Sequence, residues 1–311
     1  MVTASELSAR RLDPVAVNTA LRRLVRAPEA PWLHAEVARR MAEKLEVILH
    51  RPELVIDWWS GLGAGAALLA KAYPKATRVL VEPDALWAER SRQGAQRPWW
   101  SAERWTGAPV DVMTSGDAAP PSGAGLIWAN MMLHAVVDPA ALIEQWQRLL
   151  RADGFVMFSC LGPSTLRELR ALYERLGWPS PTPGFVDMHD LGDMLVQAGF
   201  ADPVMDQETL TLTWSSPRAL LDELRSLGAN AAPDRAAGLR TPRWRARLER
   251  ELESLAAPDG TLGMSFEVAY GHAFKAAPRL RAGEATTVSL DDMRAMVRSS
   301  HGRPKTRPPL R

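Results

Sequence analysis

Val55-Ile56-Asp57-Trp58-Trp59-Ser60-Gly61-Leu62-Gly63-Ala64-Gly65 joins an apolar strand to an acidic residue and a glycine-rich turn, just ahead of a helix-forming stretch. Glycine serves in such turns because a backbone without Cβ bends tightly and lets its N–H groups approach a ligand. The helix N-terminus that follows favours negative charge. The segment reads as a nucleotide-cofactor loop in which Trp59 stands where the first glycine is expected. A second feature lies 25 positions past Asp57: Val79-Leu80-Val81-Glu82 is an apolar strand ending in an acid. That is near the roughly 20-residue offset at which a carboxylate reaches ribose hydroxyls.

Outward from this core, strand-like and helix-like segments alternate. Strands are predicted at about 53–57, 78–82, 109–113, 124–129 and 154–159, with helices at 64–73, 84–93, 139–151 and 164–177. Such alternation marks a parallel sheet covered by helices, with ligands at the carboxyl ends of the strands. Val37, Met41, Leu45 and Ile48 at helical spacing predict an amphipathic helix over 34–48, and another helix is expected over 13–26. Beyond the link Trp178-Pro-Ser-Pro-Thr-Pro-Gly184 the spacing predicts helices at 187–198, 217–227 and 242–256. Late strands at 204–214 and 264–270 would form an antiparallel edge.

The chain has 311 residues, 46% hydrophobic and 24% charged, with a formal charge of +2. It is long enough for one large α/β domain, and no apolar run approaches the ~20 residues of a membrane span. The single Cys160 excludes an internal disulfide framework, no metal-ligand spacing is present among the six histidines, and no secretory leader is visible. A cytoplasmic protein is expected. Residues 276–311 carry eight Lys/Arg against three acids, so the rest of the chain is net acidic. Three regions follow: an N-terminal helical extension over 1–33, a catalytic-type domain over 34–275, and a basic disordered tail over 276–311.

Gly125-Leu-Ile-Trp-Ala-Asn-Met-Met-Leu-His134, then Asp138-Pro139, a helix, and Ala152-Asp-Gly-Phe-Val-Met-Phe-Ser159 complete an order that resembles the class I S-adenosylmethionine-dependent methyltransferases. The resemblance implies a Rossmann-like, seven-stranded, mostly parallel sheet with an antiparallel edge and helices on both faces. Leu161-Gly-Pro-Ser-Thr-Leu-Arg-Glu-Leu-Arg170, Phe185 to Phe200 and Tyr270-Gly-His-Ala273 narrow it to the methyltransferases of biotin synthesis that esterify malonyl-acyl carrier protein. The same features are shared by a related respiratory complex I assembly factor credited with arginine hydroxylation. The family's three-glycine motif reads Asp57-Trp58-Trp59-Ser60-Gly61-Leu62-Gly63 here, with Trp59 replacing the first glycine.

The implied cofactor is S-adenosylmethionine, held by Asp57, Gly61, Gly63, Glu82, Asn130 and, as the match to the adenine-binding acid, Asp117. The implied partner is an acyl carrier protein. Neither nucleic acid nor a membrane is expected, and Trp99, Trp100 and Trp105 are read as core or lid residues. An ionised carboxylate acceptor needs no base but does need a cationic clamp, best made by arginine because its fork is bidentate. Arg167 and Arg170 are the clamp candidates, and His134 and His189 the bases for any other acceptor.

Overall fold

The computed structural model describes residues 12–95, 108–116 and 121–276. Asp117, the Trp99–Trp100 pair, Trp105 and the predicted tail lie outside the described residues. Strands β1 (Leu54–Trp58), β2 (Thr77–Glu82), β3 (Val110–Thr114), β4 (Ala124–Ala129), β5 (Leu150–Leu161), β6 (Phe200–Trp214) and β7 (Leu262–Lys275) form one sheet in the order β3-β2-β1-β4-β5-β7-β6. β1 to β5 run parallel, and β7 is antiparallel to both its neighbours, β5 and β6. The reversed strand therefore lies one place in from the edge, with β6 outside it.

Helices α1 (Pro14–Leu24), α2 (Trp32–Leu45), α3 (Ser60–Gly63), α4 (Ala66–Ala72), α5 (Ala85–Ala95), α6 (Pro139–Leu149), α7 (Arg167–Arg175), α8 (Met188–Gln197), α9 (Pro217–Leu227) and α10 (Pro242–Glu253) accompany the sheet. Four of them start alike. Asp13, Asp138, Ser216 and Thr241 each accept a backbone N–H with the side chain, and a proline follows as the first helical residue. The side chain satisfies a free donor of the first turn, and the proline loses no helical hydrogen bond there.

Strand alternation sorts the core into two clusters. Ile56, Trp58, Val79 and Val81 join α1, α5, α6 and α8 on one face; Val55, Leu126 and Trp128 join α2, α4, α7, α9 and α10 on the other. Ala16, Val17, Leu21 and Leu24 of α1 are buried in the first cluster, the Asp13 N–H donates to the carbonyl of Ala231, and Asp13 pairs with Arg235. Helix α1 thus packs into the same core as the elements that follow it.

The sheet order reverses between β1 and β4. The chain runs out to β3 from one and returns to the other, leaving a crevice at their carboxyl ends where open α/β sheets take their ligands. The turn after β1, Asn130 after β4 and the loop after β5 all meet at this end.

Candidate active site

Asp57 ends β1 and is fully buried, its Oδ2 accepting from the Ser60 hydroxyl at 2.5 Å. Trp59 follows in the left-handed conformation (φ 54°, ψ 48°), and its N–H donates to the Val81 carbonyl of β2 at 2.6 Å. The chain then makes the single turn of α3, which packs on α5, and leaves it through Ala64, also left-handed (φ 55°). The two left-handed positions therefore carry side chains, at a cost of about 1–2 kcal/mol each. The glycines between them answer a different need. A Cβ on Gly61 would lie 3.0 Å from the Trp87 ring of α5 and 3.1 Å from the Ser91 hydroxyl.

Glu82, at the end of β2, is also fully buried. Its Oε1 accepts from the Gly61 N–H at 2.9 Å and from the Ser91 hydroxyl at 2.5 Å. Among the described residues, Glu82 Oε2 and Asp57 Oδ1 have no hydrogen-bond partner. Burial pushes both carboxyls up to about 7; the Ser60 hydrogen bond opposes the rise at Asp57, and those from Ser91 and Gly61 oppose it at Glu82.

Two unsatisfied acceptors at the ends of adjacent strands are a donor-seeking pair that fits a ligand with vicinal hydroxyls and an ammonium group. The space is another matter. Trp59 is only 8% exposed and Trp87 1%, both within the cluster that includes α1. The chemistry fits a nucleoside cofactor, while the buried Trp59 and Trp87 make the conformation a closed one, with Gly61 and Ser91 on Glu82 Oε1.

Asn130 ties the crevice together. Its side-chain amide donates to the carbonyls of His34 (2.8 Å) and Gly63 (2.6 Å), and its Oδ1 accepts from the Ser159 hydroxyl at 2.6 Å. One residue thus joins β4, β5, α2 and the glycine turn. His134 accepts from the Leu161 N–H at 3.3 Å through Nδ1, and burial lowers its pKa to about 3, so it is neutral at physiological pH.

Beside His134 opens a cavity of about 740 Å³, walled by α1, α7, α9 and α10 and by the 179–185 link. Its lining is mainly apolar, holds five arginines (Arg23, Arg225, Arg235, Arg240 and Arg245) and includes no aspartate or glutamate. Arg235 pairs with Asp13 at 2.7 Å, Arg245 with Glu249 at 2.8 Å and Arg225 with Asp222 at 3.2 Å. Arg240 lies 4.6 Å from the centre of the Trp244 ring and has no carboxylate partner among the described residues. A cavity of this kind suits an anion carried on an apolar arm.

Over 274 residues the chain is 38% identical to the malonyl-(acyl-carrier protein) O-methyltransferase of Laribacter hongkongensis, covering 86% of this chain and 89% of the relative. The identity to the same-named enzyme of Gallionella capsiferriformans is 37% over 281 residues, covering 89% and 96%. The chain belongs to the malonyl-(acyl-carrier protein) O-methyltransferase family. No protein-family profile matches it. Among solved structures, the YcgJ protein of Bacillus subtilis aligns with a TM-score of 0.50 at 12% identity, over 77% of this chain and 99% of that one, a likeness of fold.

The fold links Gly61 to Glu82 and Gly63 to Asn130 by hydrogen bonds, with Asp57 holding Ser60 in the same turn. Arg167 and Arg170 are not in the cavity lining. Arg167 pairs with Glu168 at 3.1 Å, and Arg170 donates to the Pro163 carbonyl. His189 is exposed, with its ring nitrogen on Asp187 at 2.9 Å, and is likewise outside the lining. The arginines that do line the cavity were missed because they lie far apart in sequence, on α1, on α9, in the segment leading into α10 and on α10 itself. The one local signal was the run of arginines from Arg235 to Arg250.

Proposed function

We propose that the chain transfers the methyl group of S-adenosylmethionine to the free carboxylate of a malonyl group held on acyl carrier protein, a step of biotin synthesis. The observation that carries this reading, beside the family, is the arginine-lined cavity adjoining the crevice, free of carboxylates in its lining.

S-adenosylmethionine supplies an electrophilic methyl group when bound, so an ionised carboxylate needs no general base. The chain's own residues have the task of positioning. Asp57 Oδ1 and Glu82 Oε2, which have no partner among the described residues, would accept the cofactor's hydrogen-bond donors. Two cavity arginines have no carboxylate partner among the described residues; Arg23 donates to the carbonyls of Arg225 and Gly228, so Arg240 would hold the acceptor carboxylate in a bidentate grip. Neutral His134 adds no positive charge that would compete for it.

The test is transfer of a labelled methyl group from S-adenosylmethionine to malonyl-acyl carrier protein, with calorimetric titration of S-adenosylhomocysteine alongside. Label appearing on the malonyl ester supports the proposal. Absence of both label and binding heat at millimolar ligand would favour a second reading, to which the buried Trp59 and Trp87 give specific support: a member of the fold that acts without methyl transfer, as an assembly factor or protein modifier.

A further inference from the structure

Helix α10 presents two chemically different faces. Leu248 and Leu252 are buried, and with Trp244 they pack into the core beside the cavity. Arg243, Arg247 and Arg250, spaced by four and three residues, are exposed on the other side, and exposed Arg240 continues the line one turn ahead of the helix to the cavity rim. On other helices several arginines are answered by nearby acids, Arg39 by Glu36, Arg148 by Glu144 and Arg225 by Asp222. Among the described residues, Arg240, Arg243, Arg247 and Arg250 have no carboxylate within ion-pair distance. Like charges three and four residues apart work against the helix that carries them. Arg240 and Arg247 lie over the rings of Trp244 and Trp178, which orders them without neutralising their charge, and an anionic surface laid on the row would do so.

We propose that this face of α10 is the docking surface for an acidic protein that offers its acyl group on a phosphate-linked arm, the acyl carrier protein under the proposed function, on which this inference rests. Guanidinium forks match carboxylates and phosphates in bidentate fashion, and a row of exposed cations steers an acidic partner before contact. Arg240 makes the row continuous with the cavity, so a carrier docked on α10 has its arm beside the entrance.

The experiment compares the full chain with the triple variant Arg243→Glu, Arg247→Glu, Arg250→Glu, and with the milder Arg→Gln triple should the first fail to fold by circular dichroism. Two readouts are used: calorimetric binding of acyl carrier protein, which needs no turnover, and methylation of malonyl-carrier protein against methylation of a small malonyl thioester. The expected result is a loss of carrier binding of about tenfold or more. A matching rise in KM for the carrier-borne substrate and unchanged turnover of the small thioester should accompany it. Carrier binding equal in parent and variant overturns the inference, as does a variant that loses binding to a poly(U) RNA probe while keeping the carrier, since the face would then serve RNA. If the parent methylates neither substrate, the proposed function fails, and the binding arm still decides the docking surface.

Discussion

Two residues control the crevice. Asp57 and Glu82 are buried carboxyls whose pKa is raised to about 7 by burial, above the 3.8 and 4.5 of the free side chains. The folded chain keeps these protons while the unfolded chain loses them near pH 4, so their contribution to stability is full below that pH and is lost as pH rises through about 7. Asp57→Asn keeps an uncharged group in place and removes one of the two. Its stability relative to the parent is therefore expected to improve between pH 5 and pH 8, by about 1–3 kcal/mol in urea unfolding; a difference independent of pH would show that Asp57 is not held protonated. Trp87 is the other lever, because its buried ring lies beside Gly61, whose N–H donates to Glu82 Oε1. Trp87→Leu is expected to strengthen S-adenosylhomocysteine binding by about tenfold, or roughly 1.4 kcal/mol, and to change tryptophan fluorescence on titration. Unaltered or weaker affinity would mean that the ring does not close the crevice.

At the level of elements, the segments after β5 that distinguish this branch of methyltransferases have a structural reading. The Ser164 N–H donates to Glu267 Oε2 at 2.9 Å, the Thr165 hydroxyl to the Glu267 carbonyl at 3.1 Å, and the Ser265 N–H to Glu168 Oε2 at 2.9 Å. The Leu161–Arg170 motif thus clamps the loop after β5 to β7, and Arg170 braces it through Pro163. Further along the same pair of strands, Gly271 sits opposite Phe158, where a Cβ would run into the Phe158 ring and approach the Met205 sulfur at 3.0 Å. Gly271→Ala should therefore destabilise by about 1–3 kcal/mol through overpacking, read as a lower midpoint in denaturant. A neutral result would show that β6 and β7 can slide apart to make room. β6 itself was expected from 204 but begins at Phe200, because a register shift between Ala201 and Val204 lets the strand pass Pro203.

For the whole molecule, all seven strands are complete by Lys275, and β7, inserted between β5 and β6, is the last of them. A chain ending at Ala276 is expected to unfold at the same temperature as the full chain, whereas a fall beyond ~4 °C, about 1 kcal/mol or more for a domain of this size, would give residues 277–311 a part in the fold. Removal of α1 should have the opposite outcome, since its buried residues complete one face of the core and Arg23, one of its two arginines, donates to carbonyls of Arg225 and Gly228 beside the cavity.

Period-two and helical apolar spacing were enough to read the parallel half of the sheet, and the acids ending the first two strands to name Asp57 and Glu82, because those signals are local and each is set by one element; Asn130 came from the family resemblance. The short α3 was not legible: glycines at 61 and 63 are expected in an open loop, and only contact with Trp87 and Asn130 shows why they are glycine. The closed state of the crevice and the arginine-lined cavity depend on side chains from α1, α5, α9 and α10 that are distant along the chain. Nothing in the spacing of such residues encodes their meeting, which packing alone brings about.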